Sequence, residues 1–293
     1  ADMPTFEVIA NSITSGVLLG GTLALTALGL SIALGVMRLV NLAHGELLVG
    51  GAYLGYFLLT RFGIDPLWAL PLIGGAIGCL SYPLQRILIT PLAGKGMEAS
   101  MMTMFAVSII LQNLYLLVFS ADTRAIDLPY ASTAIHVGGL TISTSYLIGF
   151  AVSIVAIGAV YWLTSRTHFG RELRASASDP IAASINGVNV KRVHSLAFAL
   201  GAGCAAMGGV LVGTAFAFTP TTGAGYLLTA FTIVVLGGLG SIPGTLIGGV
   251  VLGVLQSFGA LALGDGYRDL VGLTLFLVVL TFRPAGMFNR GAA

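Results

Sequence analysis

The sequence predicts an all-α fold, a polytopic membrane helix bundle, and three observations predict it. Of 293 residues, 56% are hydrophobic and 8% are charged. A soluble domain carries roughly 25% charged residues, so this chain has too little polar surface to coat a globule in water. The mean hydropathy is +0.98, and the apolar residues fall into runs near the length of about 20 that crosses a hydrocarbon core as a helix. The 41 glycines fit close helix packing in lipid, where small residues let backbones approach.

In chain order, the predicted spans run from Ser15 to Met37, Leu42 to Leu59, Leu67 to Ile89, Ala99 to Phe119, Tyr146 to Thr164 and Val193 to Phe218. A short run, Leu227 to Leu239, then precedes Thr245 to Leu263 and Leu270 to Phe282. The short run covers only about 20 Å as a helix, less than a core of about 30 Å, so eight or nine crossings are expected. The whole chain, 1–293, reads as a single transmembrane domain.

The first two spans need a break between them. Gly16 to Leu59 as one helix would measure about 66 Å, twice the hydrocarbon core. The polar cluster in "GVMRLVNLAHGELLVGG", residues 35–51, marks that break. Asn41 is placed to cap the second helix, and Glu46 suits the positive end of its dipole. Gly45 weakens a starting helix. With His44 beside it, the segment also reads as an unwound stretch on a solute pathway.

"LVGGAYLG" (48–55) and "LIGGVVLG" (246–253) share Leu, Gly, Gly, Leu and Gly at identical spacing. Each follows an interruption: "NLAHGE" before the first, "GGLGSIPG" before the second. Interrupted segments in corresponding places suggest an internal repeat with a pathway beside the breaks. The pathway candidates are Asn41, His44, Gly45, Glu46, Gly50 and Gly51 on one side, and Gly237, Gly238, Gly240 and Pro243 on the other.

The loop 165–195 holds Arg166, Arg171, Arg174, Lys191 and Arg192 against Glu172 and Asp179. Basic loops stay in the cytoplasm. Alternation from this loop puts the N-terminus outside and the C-terminus inside. Ten basic residues, including Arg283 and Arg290, then lie inside, and Arg61, Arg124 and Arg268 lie outside. In this loop Gly170 is expected to break the chain. A helix over Arg171–Ala177 follows, then a second one capped by Asp179, started by Pro180 and ended by Gly187. Ala182, Ala183 and Ser184 give that helix a small-residue face that another protein can approach.

The composition also excludes. A net charge of +2 gives no basic surface for nucleic acid. Cys79 and Cys204, in apolar runs, read as packing residues. The opening "ADMPTFEVIA" lacks the basic region of a signal peptide. No Gly-x4-Gly-Lys-Ser/Thr occurs, "AGKGMEAS" having the wrong spacing, so no nucleotide is expected on this chain. No Ser/His/Asp set or metal spacing supports an enzyme. His44, His136, His168 and His194 are too far apart in sequence to pair as helical ligands. An ion-coupled secondary transporter or channel would need intramembrane carboxylates, and Glu46 and Asp269 are a thin supply.

The loop residues Ala182, Ala183 and Gly187 resemble the "A-A-x-x-x-G" part of the EAA motif of ATP-binding-cassette importer permeases, with Ile181 where that motif has Glu. "GRELRASASDPIAASINGVN", "GVMRLVNLAHGELLVGGAYLGY", "VVLGGLGSIPGTLIGGVVLG" and "FRPAGMF" are similar to blocks of the branched-chain amino-acid permeases, in the same order. Urea and short-chain amide importers share them. The resemblance implies a permease subunit of a bacterial inner-membrane importer. It also implies a second permease subunit in a homo- or heterodimer, two cytoplasmic ATPase subunits that hold ATP and Mg, and an extracytoplasmic solute-binding protein. On that reading Gly170, Arg171, Arg174, Asp179, Ala182, Ala183 and Gly187 form the ATPase-coupling loop.

Overall fold

A computed structural model of the chain describes residues 6–282 apart from 93, 132 and 138. In chain order the α-helices are α1 (Phe6–Met37), α2 (His44–Phe62), α3 (Leu70–Leu84), α4 (Met97–Phe119), α5 (Thr144–Arg166) and α6 (His168–Ser178). They continue as α7 (Pro180–Ile185), α8 (Val190–Gly213), α9 (Gly223–Gly237), α10 (Ile242–Leu263) and α11 (Arg268–Phe282). A small antiparallel hairpin, β1 (Ala134–Val137) with β2 (Leu140–Ser143), pairs Ala134 with Ser143 between α4 and α5. Arg283, Arg290 and all but the first residue of "FRPAGMF" lie outside the described residues.

Among the described residues, six stretches are long and apolar enough to cross a membrane: α1, Leu70–Leu92, α4, α5, α8 and α10. α9, with 15 residues, is shorter, as its sequence predicts. α1 is the hub, buried at every position from Leu18 to Ala33, as expected of a helix that is apolar all round. It packs along α10 and α8 with almost no side chain between the backbones. A Cβ built on Gly20 would lie 2.4 Å from the Gly249 carbonyl oxygen, and one on Gly29 2.0 Å from that of Gly201. These glycines are therefore contact surfaces between the helices.

Several predicted boundaries move for identifiable reasons. α1 starts at Phe6, not Ser15, because "NSIT" continues the helix, with the Thr14 hydroxyl donating to the Ala10 carbonyl at 2.9 Å. The sixth span ends at Gly213, not Phe218. Thr219 precedes Pro220, which disfavours helix there, and Phe218 instead pairs with Arg124 through backbone bonds of 2.8 and 2.9 Å. The third span changes pitch. After Pro83, which has no N–H to donate, the ladder widens into a π-turn at Gln85–Ile89 and tightens over Thr90–Leu92. Cys79 is exposed and Cys204 buried, both as free thiols.

Candidate functional site

The break between α1 and α2 is more than a surface turn. His44 opens α2 and is buried, and its Nε2 lies 2.8 Å from the Thr26 carbonyl. A carbonyl only accepts, so Nε2 carries the proton. Thr26 precedes Met37 by eleven residues, about 17 Å along the helix. The chain from Arg38 to Ala43 therefore doubles back along α1, and α2 begins inside the bundle. Arg38 adopts φ 50 at the reversal, a conformation that non-glycine residues rarely take.

Asn41 does not cap α2, contrary to expectation. Ala43 occupies the cap position without a side-chain bond. The Asn41 Oδ1 accepts from the Ala43 N–H at 3.0 Å, and its carbonyl accepts from the His44 N–H at 3.2 Å. Asn41 thus closes the turn two residues before the helix, where Asn is equally suited.

The reason for Gly45 becomes clear only in three dimensions. A Cβ there would lie 1.9 Å from the carbonyl oxygen of Gly223. Gly223 is the first residue of α9, so the N-termini of α2 and α9 meet inside the bundle. Glu46 is buried beside them, its carboxylate against Gly223, and its Oε2 has no hydrogen-bond partner among the described residues. The sequence signal for this partner was "TTGAGY", whose glycines mark a starting helix that must be approached closely. Gly50 faces the Tyr115 hydroxyl, and Gly51 faces the Ala206 backbone.

The second interruption has different geometry. Gly237 ends α9, and Gly238 and Gly240, with φ +84 and +77, turn the chain in four residues into α10. The Ser241 hydroxyl accepts from the Gly244 N–H at 3.1 Å, and Pro243 sits in the first turn. Gly240 packs on Gly35 near the end of α1. This is a tight helix hairpin at one end of the bundle, whereas the first break lies inside it. The "LVGG" segment packs on α8 and the "LIGG" segment on α1.

The loop forms two helices with a bend, as its caps predict. The Asp179 carboxylate accepts from the Ile181 and Ala182 N–H groups at 2.9 and 3.0 Å. Gly187, at φ +86, follows the end of α7. Ala183 is buried under α7, while Ala182 and Ile181 face outward. Gly170 is not the breaker. Thr167 ends α5 and caps α6, and Gly170 lies within α6, where a Cβ would strike the Thr164 carbonyl oxygen at 1.9 Å. Its missing side chain lets α6 fold back onto α5. The Arg174 guanidinium donates to that same Thr164 carbonyl; Arg171 is exposed.

Two cavities join this loop to the two breaks. One of about 920 Å³ has Arg38, the π-turn residues Gln85 and Ile89, the α7 residues Pro180, Ile181, Ser184 and Ile185, and Gly187 in its walls. The other, about 270 Å³, brings Arg174 to Gly35, Gly240 and Pro243. Gln85 was not anticipated. It is 2% exposed, and its Oε1 accepts from the Ser195 hydroxyl at 2.5 Å, which ties α3 to α8. A lone Gln in "YPLQRILI" was the available signal. Among the described residues no cluster of His, Cys, Asp or Glu could hold a metal ion; the side chain of Asp269 lies outside them.

A multi-pass helical bundle with broken helices and a helical loop seated at both breaks is the class of a membrane transport permease. The chain belongs to the family described as "Branched-chain amino acid transport system / permease component", which matches residues 12–280. It is 33% identical to the high-affinity branched-chain amino acid transport system permease protein BraD of Pseudomonas aeruginosa, over 98% of both chains. It is also 33% identical to LivH of Escherichia coli K12, over 94% of both. Among solved structures, PsaBC from Streptococcus pneumoniae in complex with Fab matches with a TM-score of 0.48 and 16% identity, covering 97% of this chain and 95% of that one.

Proposed function

We propose that this chain is the membrane-spanning permease subunit of an ATP-binding-cassette importer that moves branched-chain or related amino acids delivered by a binding protein. It sits in a bacterial inner membrane with its N-terminus outside and the α6–α7 loop in the cytoplasm. It works beside a second permease subunit, and ATP and Mg are held by two separate ATPase subunits. The observation that carries this reading is the seating of one basic helical loop against both helix breaks. A push on α7 reaches Arg38 and the π-turn, and a push on α6 reaches the α9–α10 hairpin through Arg174.

The test uses proteoliposomes holding the assembled transporter. Arg174→Ala and Gly187→Val are expected to reduce ATP-driven leucine uptake about 100-fold, the scale of a lost coupling free energy between sites, with unchanged insertion. Normal uptake by both variants refutes the coupling role. Uptake that persists without the ATPase subunits and collapses with an uncoupler refutes the importer reading.

A further inference from the structure

Between α3 and α5, over α8, lies a cavity of about 770 Å³ that is separate from both breaks. α8 is its floor. α3 packs tightly along α8: a Cβ on Gly78 would lie 2.9 Å from the Ala199 carbonyl oxygen, and one on Gly203 2.8 Å from that of Gly74. α5 approaches α8 less closely, which leaves a groove. Gly74, Gly75, Gly78 and Cys79 form its wall on α3, and a Cβ on Gly75 meets nothing within 4 Å. None of the lining residues is charged. Set among three stretches able to span a membrane, the groove faces the hydrocarbon core.

One end is marked by charge. Tyr82, Leu163, Phe169 and Leu196 line the groove where it approaches α6. About one helical turn farther lie Arg86, Arg166 and Arg192, all exposed. Residues three or four apart share a helix face, so each arginine stands just beyond a lining residue of its own chain segment. The Arg86 Nη1 donates to the Tyr82 hydroxyl at 3.0 Å, which ties that cation to the mouth of the groove. None of the three arginines forms an ion pair among the described residues. From Leu196 to Met207 the floor rises about 17 Å, and one leaflet is about 15 Å of a core of about 30 Å.

We infer that this groove holds an acyl chain of an anionic phospholipid, whose headgroup phosphate sits among Arg86, Arg166 and Arg192. Length decides against a spanning helix of another subunit, which needs about 30 Å of groove. Charge decides against a second copy of this chain, because a two-fold axis along the membrane normal would set the three cations against their equivalents. A lipid from one leaflet satisfies both conditions. Basic groups at the cytoplasmic ends of spanning helices attract anionic headgroups, and under the orientation proposed above this is the cytoplasmic end. Phe169 belongs to α6, so the bound lipid also packs against the helical loop. The choice of leaflet rests on that orientation; the site itself does not rest on the cargo.

The test uses the assembled transporter, stripped of lipid in detergent and titrated with phosphatidylglycerol or phosphatidylcholine. Bound lipid is counted by native mass spectrometry, and the groove is read through Cys79, which is exposed and lines it. Phosphatidylglycerol is expected to slow N-ethylmaleimide labelling of Cys79, and to do so at lower concentration than phosphatidylcholine. Arg86→Gln is expected to weaken this protection about fivefold, the scale of one basic residue at an anionic surface, and Arg86→Gln with Arg192→Gln about 25-fold. Gly75→Phe and Ala159→Phe each fill part of the apolar groove and are expected to weaken it about tenfold with all three arginines in place, the scale of a few methylenes. Either one suffices if the other impairs folding. Equal protection by the two lipids, or unchanged protection in the double arginine variant, overturns the inference. So does equal protection by inorganic phosphate, which would leave the acyl chain no part. A Cys79 that labels in this subunit alone but not in the lipid-free transporter marks a subunit interface and overturns it as well. None of these readouts uses uptake, so their failure leaves the importer reading standing. Absence of ATP-driven leucine uptake overturns that reading and leaves the lipid site in place.

Discussion

At the scale of single residues, the chain is governed by where a side chain cannot fit. Gly45 looked like a weakness at a helix start, and it is a contact between two helix N-termini. Gly45→Ala places a methyl 1.9 Å from a carbonyl oxygen, and neither backbone can yield without moving a helix. The variant is expected to lose about 2 kcal/mol or more, the scale of overpacking, seen as a lower thermal midpoint in detergent. Gly75, which meets nothing within 4 Å, is the control: Gly75→Ala stays at wild type or rises slightly, because alanine is the better helix former. Sequence alone cannot say which of these two glycines is closely approached, since the difference is a neighbour remote in sequence. Outside the bundle, Tyr130 donates to Asp65 at 2.5 Å. Burial, followed by that carboxylate, raises the phenol above its ordinary range. Its neutral form is favoured by folding, so this stabilisation is intact below about pH 10 and is lost as pH rises through the raised value. Tyr130→Phe is expected to flatten the fall of the thermal midpoint above pH 10; an identical fall in both proteins would exclude the contribution.

At the scale of elements, local chemistry made the loop readable. Asp179-Pro180 is a cap and a first turn, Gly187 is a left-handed stop, and α6 and α7 follow. Asp179→Ala removes both bonds to the start of α7 and is expected to cost about 1 kcal/mol locally. Hydrogen exchange at the Ile181 and Ala182 amides reports it, with faster exchange there and no change in α8. Less was legible where the cause is tertiary. Gly170 reads as a breaker because glycine weakens helices, yet it is kept inside α6 by contact with α5. Asn41 suits a cap and a turn equally, and the doubling back of Arg38–Ala43 selects the turn. Hydropathy located the apolar runs but not their depth, so it could not show that α2 starts level with the middle of α1.

At the scale of the whole molecule, the helical loop and the two breaks form one mechanical unit around α1. Gly35, near the end of α1, touches Gly240, and Thr26, farther up, accepts from His44. Each break is therefore referred to the same rigid helix, and each has a cavity shared with the loop. Packed interiors change between discrete arrangements rather than deform smoothly. A loop that moves in response to a partner needs room at these two cavities, and filling one should hold the unit in a single arrangement. Ala177 borders the cavity of about 270 Å³ between Arg174 and Gly240. Ala177→Phe is expected to fill much of it and to lower uptake about tenfold, while the thermal midpoint stays level or rises because empty volume has been removed. Loss of transport without loss of stability separates a jammed hinge from a damaged fold. If Ala177→Phe transports normally, the cavity is only a packing defect and α6 does not need to move against the α9–α10 hairpin.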